Sequence, residues 1–148
     1  MIASSTMPGH LIRRLHQKST QVFTRHVRAA GYDLTPVQFA ALDALSHVPG
    51  IDQAGLADAV GKDPATIGAV VDRLAQKGLL TRVKSSADRR ARVLELTGEG
   101  KAVLDALLPV VEGLQAEILG GLDAAEYRQF VRLAAKAALT GGGGYEEG

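Results

Sequence analysis

The sequence predicts a mainly α-helical chain, broken once past its midpoint by a small β hairpin. Three observations lead there. Apolar residues recur every three or four positions through six stretches, each opened by a capping residue or a proline. Leu80–Lys84 is strand-like, and after a polar interval Val93, Glu95 and Thr97 alternate with Leu94 and Leu96 at the two-residue period of a strand. Hydrophobic residues fill 46% of 148 positions but aromatics only 4%, so the core is mostly Leu, Val and Ala, which favours helix packing and excludes disorder.

The elements follow in order. Met1–Met7 is small and polar and is expected to be loose. Pro8-Gly9 leads into a first helix over His10–Ala30, whose apolar face holds Leu11, Leu15, Val22 and, a little round the helix, Ile12, Phe23 and Val27. Gly31 ends it. Thr35-Pro36 supplies the N-cap and first residue of a second helix, with Val37, Phe39, Ala40, Leu42 and Leu45 on a wide apolar face and Pro49-Gly50 at its end. Asp52 opens a short third helix through Leu56, Ala57 and Val60, closed by Gly61.

After a tight turn, Asp63 fits the N-cap of a fourth helix and Pro64 its first position, where a missing N–H costs nothing. Ile67, Val70, Val71 and Leu74 make one stripe, and Gly78 suits a C′ position of positive φ. Thr97-Gly98-Glu99-Gly100 opens a long fifth helix whose stripe runs from Val103 to Leu119, with Pro109 expected to bend it and Gly120-Gly121 to break it. Asp123 caps a last helix bearing Tyr127, Phe130, Val131, Leu133 and Ala134, and 141–148 looks like a flexible tail.

The stretch from Lys62 to Thr97 carries the chemistry. The third and fourth helices have helix–turn–helix spacing, in which the first helix braces the second. Opposite the fourth helix's stripe, Ala65, Thr66, Gly68 and Ala69 keep one face low. A helix entering a major groove about 12 Å wide needs such a face, although an ordinary surface helix fits the pattern too. The hairpin tip, Ser85–Arg92, carries Asp88, Arg89, Arg90 and Arg92. Arginine at such a tip suits the narrow, electronegative minor groove, with Asp88 holding Arg90 by a charge-assisted bond. A solvated charged loop is the plainer alternative. Lys62, Arg73 and Lys84 are placed as phosphate contacts, and Ala65, Thr66 and Ala69 as the groove-facing residues.

Asp88-Arg89-Arg90-Ala91-Arg92-Val93-Leu94-Glu95-Leu96-Thr97 resembles the wing signature of the MarR family of winged helix–turn–helix transcription regulators. Val71-Asp72-Arg73-Leu74 and Lys77-Gly78-Leu79-Leu80 resemble the end of that family's recognition helix. The resemblance implies a dimeric, DNA-binding regulator whose affinity for DNA is changed by a small ligand. It implies a winged DNA-binding lobe over 35–97 with dimerisation helices over 10–30 and 98–140. The first helix and the last two hold more apolar surface than one small domain needs, which points to a homodimer. A monomer with those stripes folded inward is the alternative. A dimer reads an inverted repeat in double-stranded DNA.

Pro8-Gly9-His10-Leu11-Ile12-Arg13-Arg14-Leu15-His16-Gln17 resembles the start of MarR-type regulators that respond to aromatic acids from catabolic pathways. In that group the effector pocket lies between the dimerisation helices and the DNA-binding lobe. Arg14 then pairs a carboxylate bidentately, with His10 and Gln17 a turn away on either side. Ser19 and His26 fall inside the apolar arc, where a pocket, the neighbouring backbone or a second subunit satisfies them. His10 and Arg14 are equally placed to be surface residues or to brace a dimer. The function expected is a repressor of a catabolic operon, released by a small aromatic carboxylate.

Net charge is only +1, so a basic surface must arise from local clustering. With no cysteine, disulfides and thiolate metal sites are excluded. His10, His16, His26 and His47 form no metal-type spacing, and Gly141–Gly144 precedes no helix, so neither a cofactor nor a metal is expected and an enzyme is a weak alternative. A DNA-binding protein without an effector is the stronger one. There is no 18-residue apolar run and no signal-peptide pattern, so a cytoplasmic location and no membrane partner are expected.

Overall fold

A computed structural model describes residues 3–85 and 92–139. The chain divides into two compact units, one ending at Leu114 and the other beginning at Gln115. Among the described residues, six α-helices and one antiparallel hairpin follow in the order α1 (Pro8–Ala29), α2 (Pro36–His47), α3 (Gln53–Val60), α4 (Pro64–Gln76), β1 (Leu80–Lys84), β2 (Arg92–Leu96), α5 (Gly98–Ile118) and α6 (Ala124–Leu139).

The start of the chain differs from expectation. Ala3–Thr6 forms a 3₁₀ turn, with the Met7 N–H donating to the Ser4 carbonyl at 2.9 Å. The expected loose stretch contains no proline before Pro8, so its small residues are free to close such a turn. The helix begins at Pro8 and not at His10, because proline's fixed φ suits the first helical position.

Capping residues fix the later boundaries. Thr35 and Gln38 form a reciprocal capping box, each side chain accepting the other's backbone N–H at 3.1 Å. Asp52 Oδ1 accepts from the Gly55 N–H at 2.7 Å. Gly61 and Gly78 close α3 and α4 at φ 70° and 75°, a region that favours glycine. Pro109 lies inside α5, which runs on to Ile118.

The core of the first unit forms where α2, α3 and α4 meet. Leu42, Leu56, Ile67, Val71 and Leu74 are fully buried there, each large side chain contributing roughly 1.5–3 kcal/mol by leaving water. From α1, Val22, Phe23 and Val27 are buried too, and the rings of Phe23 and Phe39 lie 6.1 Å apart at 60°. The hairpin pairs Leu80 with Leu96, Arg82 with Leu94 and Lys84 with Arg92. It is tied back to the loop between α2 and α3 by the Leu94 N–H, which donates to the Ile51 carbonyl at 2.9 Å.

Three elements meet at one joint. The Leu79 carbonyl accepts from the Thr97 N–H at 3.1 Å. The Thr97 hydroxyl donates to the Gly78 carbonyl at 2.6 Å and accepts from the Gly100 N–H at 3.0 Å. The backbone at Gly100 passes so close that an added Cβ would sit 1.9 Å from the Leu79 carbonyl oxygen.

In the second unit, Asp123 and Glu126 form another reciprocal capping box, at 3.0 and 2.9 Å, at the start of α6. No residue of α6 is buried, and Val131, Leu133 and Leu139 are exposed.

The joint gives a direct test. Gly100→Ala forces backbone apart and is expected to lower stability by about 1–3 kcal/mol in urea unfolding. Gly98→Ala, where a Cβ meets nothing within 4 Å, serves as the control. Equal losses for the two variants would show that the close approach is not maintained in solution.

Candidate nucleic-acid interface

The candidate surface is built on α4. Its inner side is Ile67, Val71 and Leu74, all fully buried. Packing of that stripe leaves Ala65, Thr66, Ala69 and Arg73 exposed on the other side. Lys62, in the turn before the helix, is exposed as well. Gly68 departs from expectation. It is half-buried, and a Cβ there would lie 3.2 Å from the Gln53 amide nitrogen, so it faces α3 and not the low outer face. Its lack of a side chain lets α3 and α4 pack closely.

Asp63 holds the exposed start of α4. Its Oδ1 accepts from the Thr66 N–H at 2.9 Å and its Oδ2 from the Thr66 hydroxyl at 2.8 Å. These bonds, the backbone one first, hold the carboxyl below its ordinary range.

The hairpin is aimed relative to α4 by a pair that sequence reasoning missed. Arg82 on β1 donates to the Asp72 carboxylate on α4 at 2.5 Å. Ten residues separate the two, and no helix or strand spacing rule links such positions. A second tie joins the C-cap of α4 to the loop before α2, where the Lys77 ammonium donates to the Asp33 carbonyl. Lys84 and Arg92, a cross-strand pair at the outer end of the described ladder, are exposed. Asp88, Arg89 and Arg90 lie outside the described residues.

The expected effector residues are spread along α1. Arg14 and Gln17 are exposed and line one open groove of about 530 Å³ with Leu11, Leu15, Lys18 and Gln21. His10, Ser19 and His26 are half-buried and are not among its lining. All six described lining residues belong to α1, so none comes from α2, α3, α4 or the hairpin.

A low-faced helix braced by a second, beside a cationic hairpin, is the arrangement of a duplex-reading protein. Residues 32–91 match the sequence profile of the MarR family. The chain is 35% identical over 131 residues to the transcriptional regulator HosA of Escherichia coli O157:H7, covering 88% of this chain and 94% of HosA. The chain belongs to the MarR family. It is thus a DNA-binding winged helix–turn–helix transcription regulator and not an enzyme.

This MarR-family chain is also 36% identical over 118 residues to the transcriptional repressor NicR of Pseudomonas putida, covering 80% of this chain and 73% of NicR. Among solved structures it is similar to BpsR of Bordetella bronchiseptica, whose DNA binding is regulated by 6-hydroxynicotinic acid. There the TM-score is 0.85 at 30% identity, over 95% of this chain and 99% of BpsR. Among the described residues, no helix is long and apolar enough to cross a membrane.

The Asp63 cap carries a pH signature. A carboxyl whose folded pKa is depressed stabilises the protein above its unfolded pKa, and loses that contribution as pH falls through the folded value. The difference in stability between the parent and Asp63→Asn is therefore expected to be constant at neutral pH and to change as pH falls toward and below the ordinary value of 3.8. Parallel urea titrations across that range check it, and a difference that changes near neutrality would exclude this carboxyl as the cause.

Proposed function

We propose that this regulator is a homodimeric repressor that binds an inverted repeat and is released by a small aromatic carboxylate. The observation that carries the DNA side is the exposed low face of α4, with Ala65, Thr66 and Ala69 opposite a fully buried stripe. On this proposal 35–97 is the DNA-binding lobe, and 10–30 and 98–140 supply dimerisation helices. Ala65, Thr66 and Ala69 face base edges, while Lys62, Arg73 and Lys84 meet phosphates. Asp88, Arg89 and Arg90 act at the tip of the wing, with Arg90 in the minor groove.

Exposed apolar side chains support the dimer. Leu11 and Ile12 on α1 are 43% and 64% exposed, and Leu139 on α6 is 83% exposed. On each unit such exposed apolar side chains suit a partner surface, and on this proposal a second copy covers them. The relative NicR, a repressor, supports the sign of regulation. BpsR, regulated by a hydroxylated aromatic acid, supports the effector class.

The groove on α1 is the proposed effector site. Arg14 pairs the carboxylate, and Gln17, one turn on along the same groove, bonds a ring substituent. His10, Ser19 and His26 contribute at its margin. Because its described lining is confined to α1, another surface must enclose the ligand, and the second copy or a shift of the lobe supplies it. The acid releases DNA only if it favours the lobe spacing that does not fit two successive major grooves. A tenfold effect on affinity corresponds to about 1.4 kcal/mol of coupling, and DNA must weaken the acid equally.

Two measurements test this. Sedimentation is expected to give a dimer at micromolar concentration, and footprinting is expected to give two half-sites about 10 bp apart. A monomer protecting a single half-site excludes the dimer. In anisotropy titrations with a panel of aromatic acids, Arg14→Ala is expected to abolish release while leaving DNA binding by the free protein intact. If that variant releases at the parent's ligand concentration, Arg14 is not the anchor. If no acid shifts affinity, the protein is a constitutive DNA-binder. Loss of Lys62, Arg73 or Lys84 is expected to weaken all sequences alike and to lower the salt slope by about one per contact.

A further inference from the structure

We infer that Thr66 reads its base pair only as a hydrogen-bond acceptor, selecting an exocyclic amine in the major groove, because Asp63 takes its hydroxyl proton. The inference rests on the proposed DNA interface and adds the chemistry of its central contact.

A threonine hydroxyl has one proton and two lone pairs, and a carboxylate only accepts. The Thr66 hydroxyl lies 2.8 Å from Asp63 Oδ2, so its proton points at Asp63. The Thr66 N–H, 2.9 Å from Asp63 Oδ1, occupies the other carboxylate oxygen. Together the two bonds close a ring that pins the side chain and leaves only lone pairs to face outward. The carboxyl is held ionised by the same donors, so it offers no proton in return. Thr66 is exposed, in the first turn of α4, where recognition helices make their base contacts.

In general a threonine hydroxyl bonds donors and acceptors on base edges alike. Here that ambiguity is removed. The complementary groups are the N6 amine of adenine and the N4 amine of cytosine, the exocyclic amines of the major groove. Guanine O6, guanine N7 and thymine O4 are acceptors, and each would face a lone pair of the Thr66 oxygen.

The test selects preferred duplexes from a randomised pool with the full chain, its Thr66→Val variant and its Asp63→Asn variant. Thr66→Val keeps the shape and removes the hydroxyl. Asp63→Asn keeps the helix cap, since its carboxamide oxygen still accepts the Thr66 N–H. Its amide nitrogen then donates to the hydroxyl and turns that proton outward. The expected result is one position per half-site that is adenine or cytosine for the parent and is relaxed in Thr66→Val. At that position Asp63→Asn should instead select guanine or thymine. Replacing the base by its analogue lacking the amine should weaken the parent roughly threefold to tenfold, the range of one neutral hydrogen bond, and leave Thr66→Val unchanged.

Sequence-selective binding with no position relaxed in Thr66→Val, the same base chosen by parent and Asp63→Asn, or indifference of the parent to the missing amine each overturns the inference while leaving the DNA interface standing. Binding without any sequence preference overturns the groove-facing assignment of α4, and this inference with it.

Discussion

The close approach of Gly100 to the Leu79 carbonyl is the constraint on which the DNA-binding unit depends. The end of α4, the base of the hairpin and the start of α5 all pass through it. Leu79 accepts from Thr97, and Thr97 in turn donates to Gly78 and accepts from Gly100. A buried backbone carbonyl must find a donor, and here the donors come from a neighbouring element. The aim of α4, the root of β2 and the direction of α5 therefore cannot change independently. Glycine suits this position because any Cβ at position 100 would collide with the Leu79 backbone and force it to shift.

The local order of the fold was legible in the sequence because its signals are local. Thr35, Asp52, Asp63 and Asp123 mark helix starts by chemistry confined to three residues, and Gly61 and Gly78 mark ends by their positive φ. The two strands were legible from alternation, but their register, Leu80 opposite Leu96, was not. The Asp72–Arg82 bond was not legible, because it joins a helix to a strand whose relative placement is a tertiary outcome. Gly68 was assigned to the wrong side because residues near the boundary of a helical stripe are sorted by the neighbouring helix, here by Gln53 of α3. The turn at Ala3–Thr6 carries no strong capping signal at all. Of the candidate site, the exposed residues of α4 were foreseen, while the spacing on α1 suggested a tighter cluster than the groove that brings Arg14 and Gln17 together.

A regulator with 17 basic and 16 acidic residues carries acids on α4, the helix proposed to read DNA. The carboxylate at its start is engaged by Thr66, and the one near its end by Arg82. Asp72 is neutralised by the Arg82 guanidinium, while Asp63 keeps its charge and is held in place by the neutral donors of Thr66. The same donors fix geometry, one setting the rotamer of a helix residue and the other the position of a strand. At Asp72 charge compensation and aim are thus supplied by the same bond.

The Lys84–Arg92 rung of the hairpin has a consequence of another kind. Like charges directly across a ladder oppose pairing, so this last rung of the described ladder carries a repulsive term. A polyanion placed between the two side chains reverses the sign of that term. On the proposed interface, a duplex phosphate there would serve as counterion to this rung, so tightening of the hairpin and binding of the duplex would be one linked equilibrium.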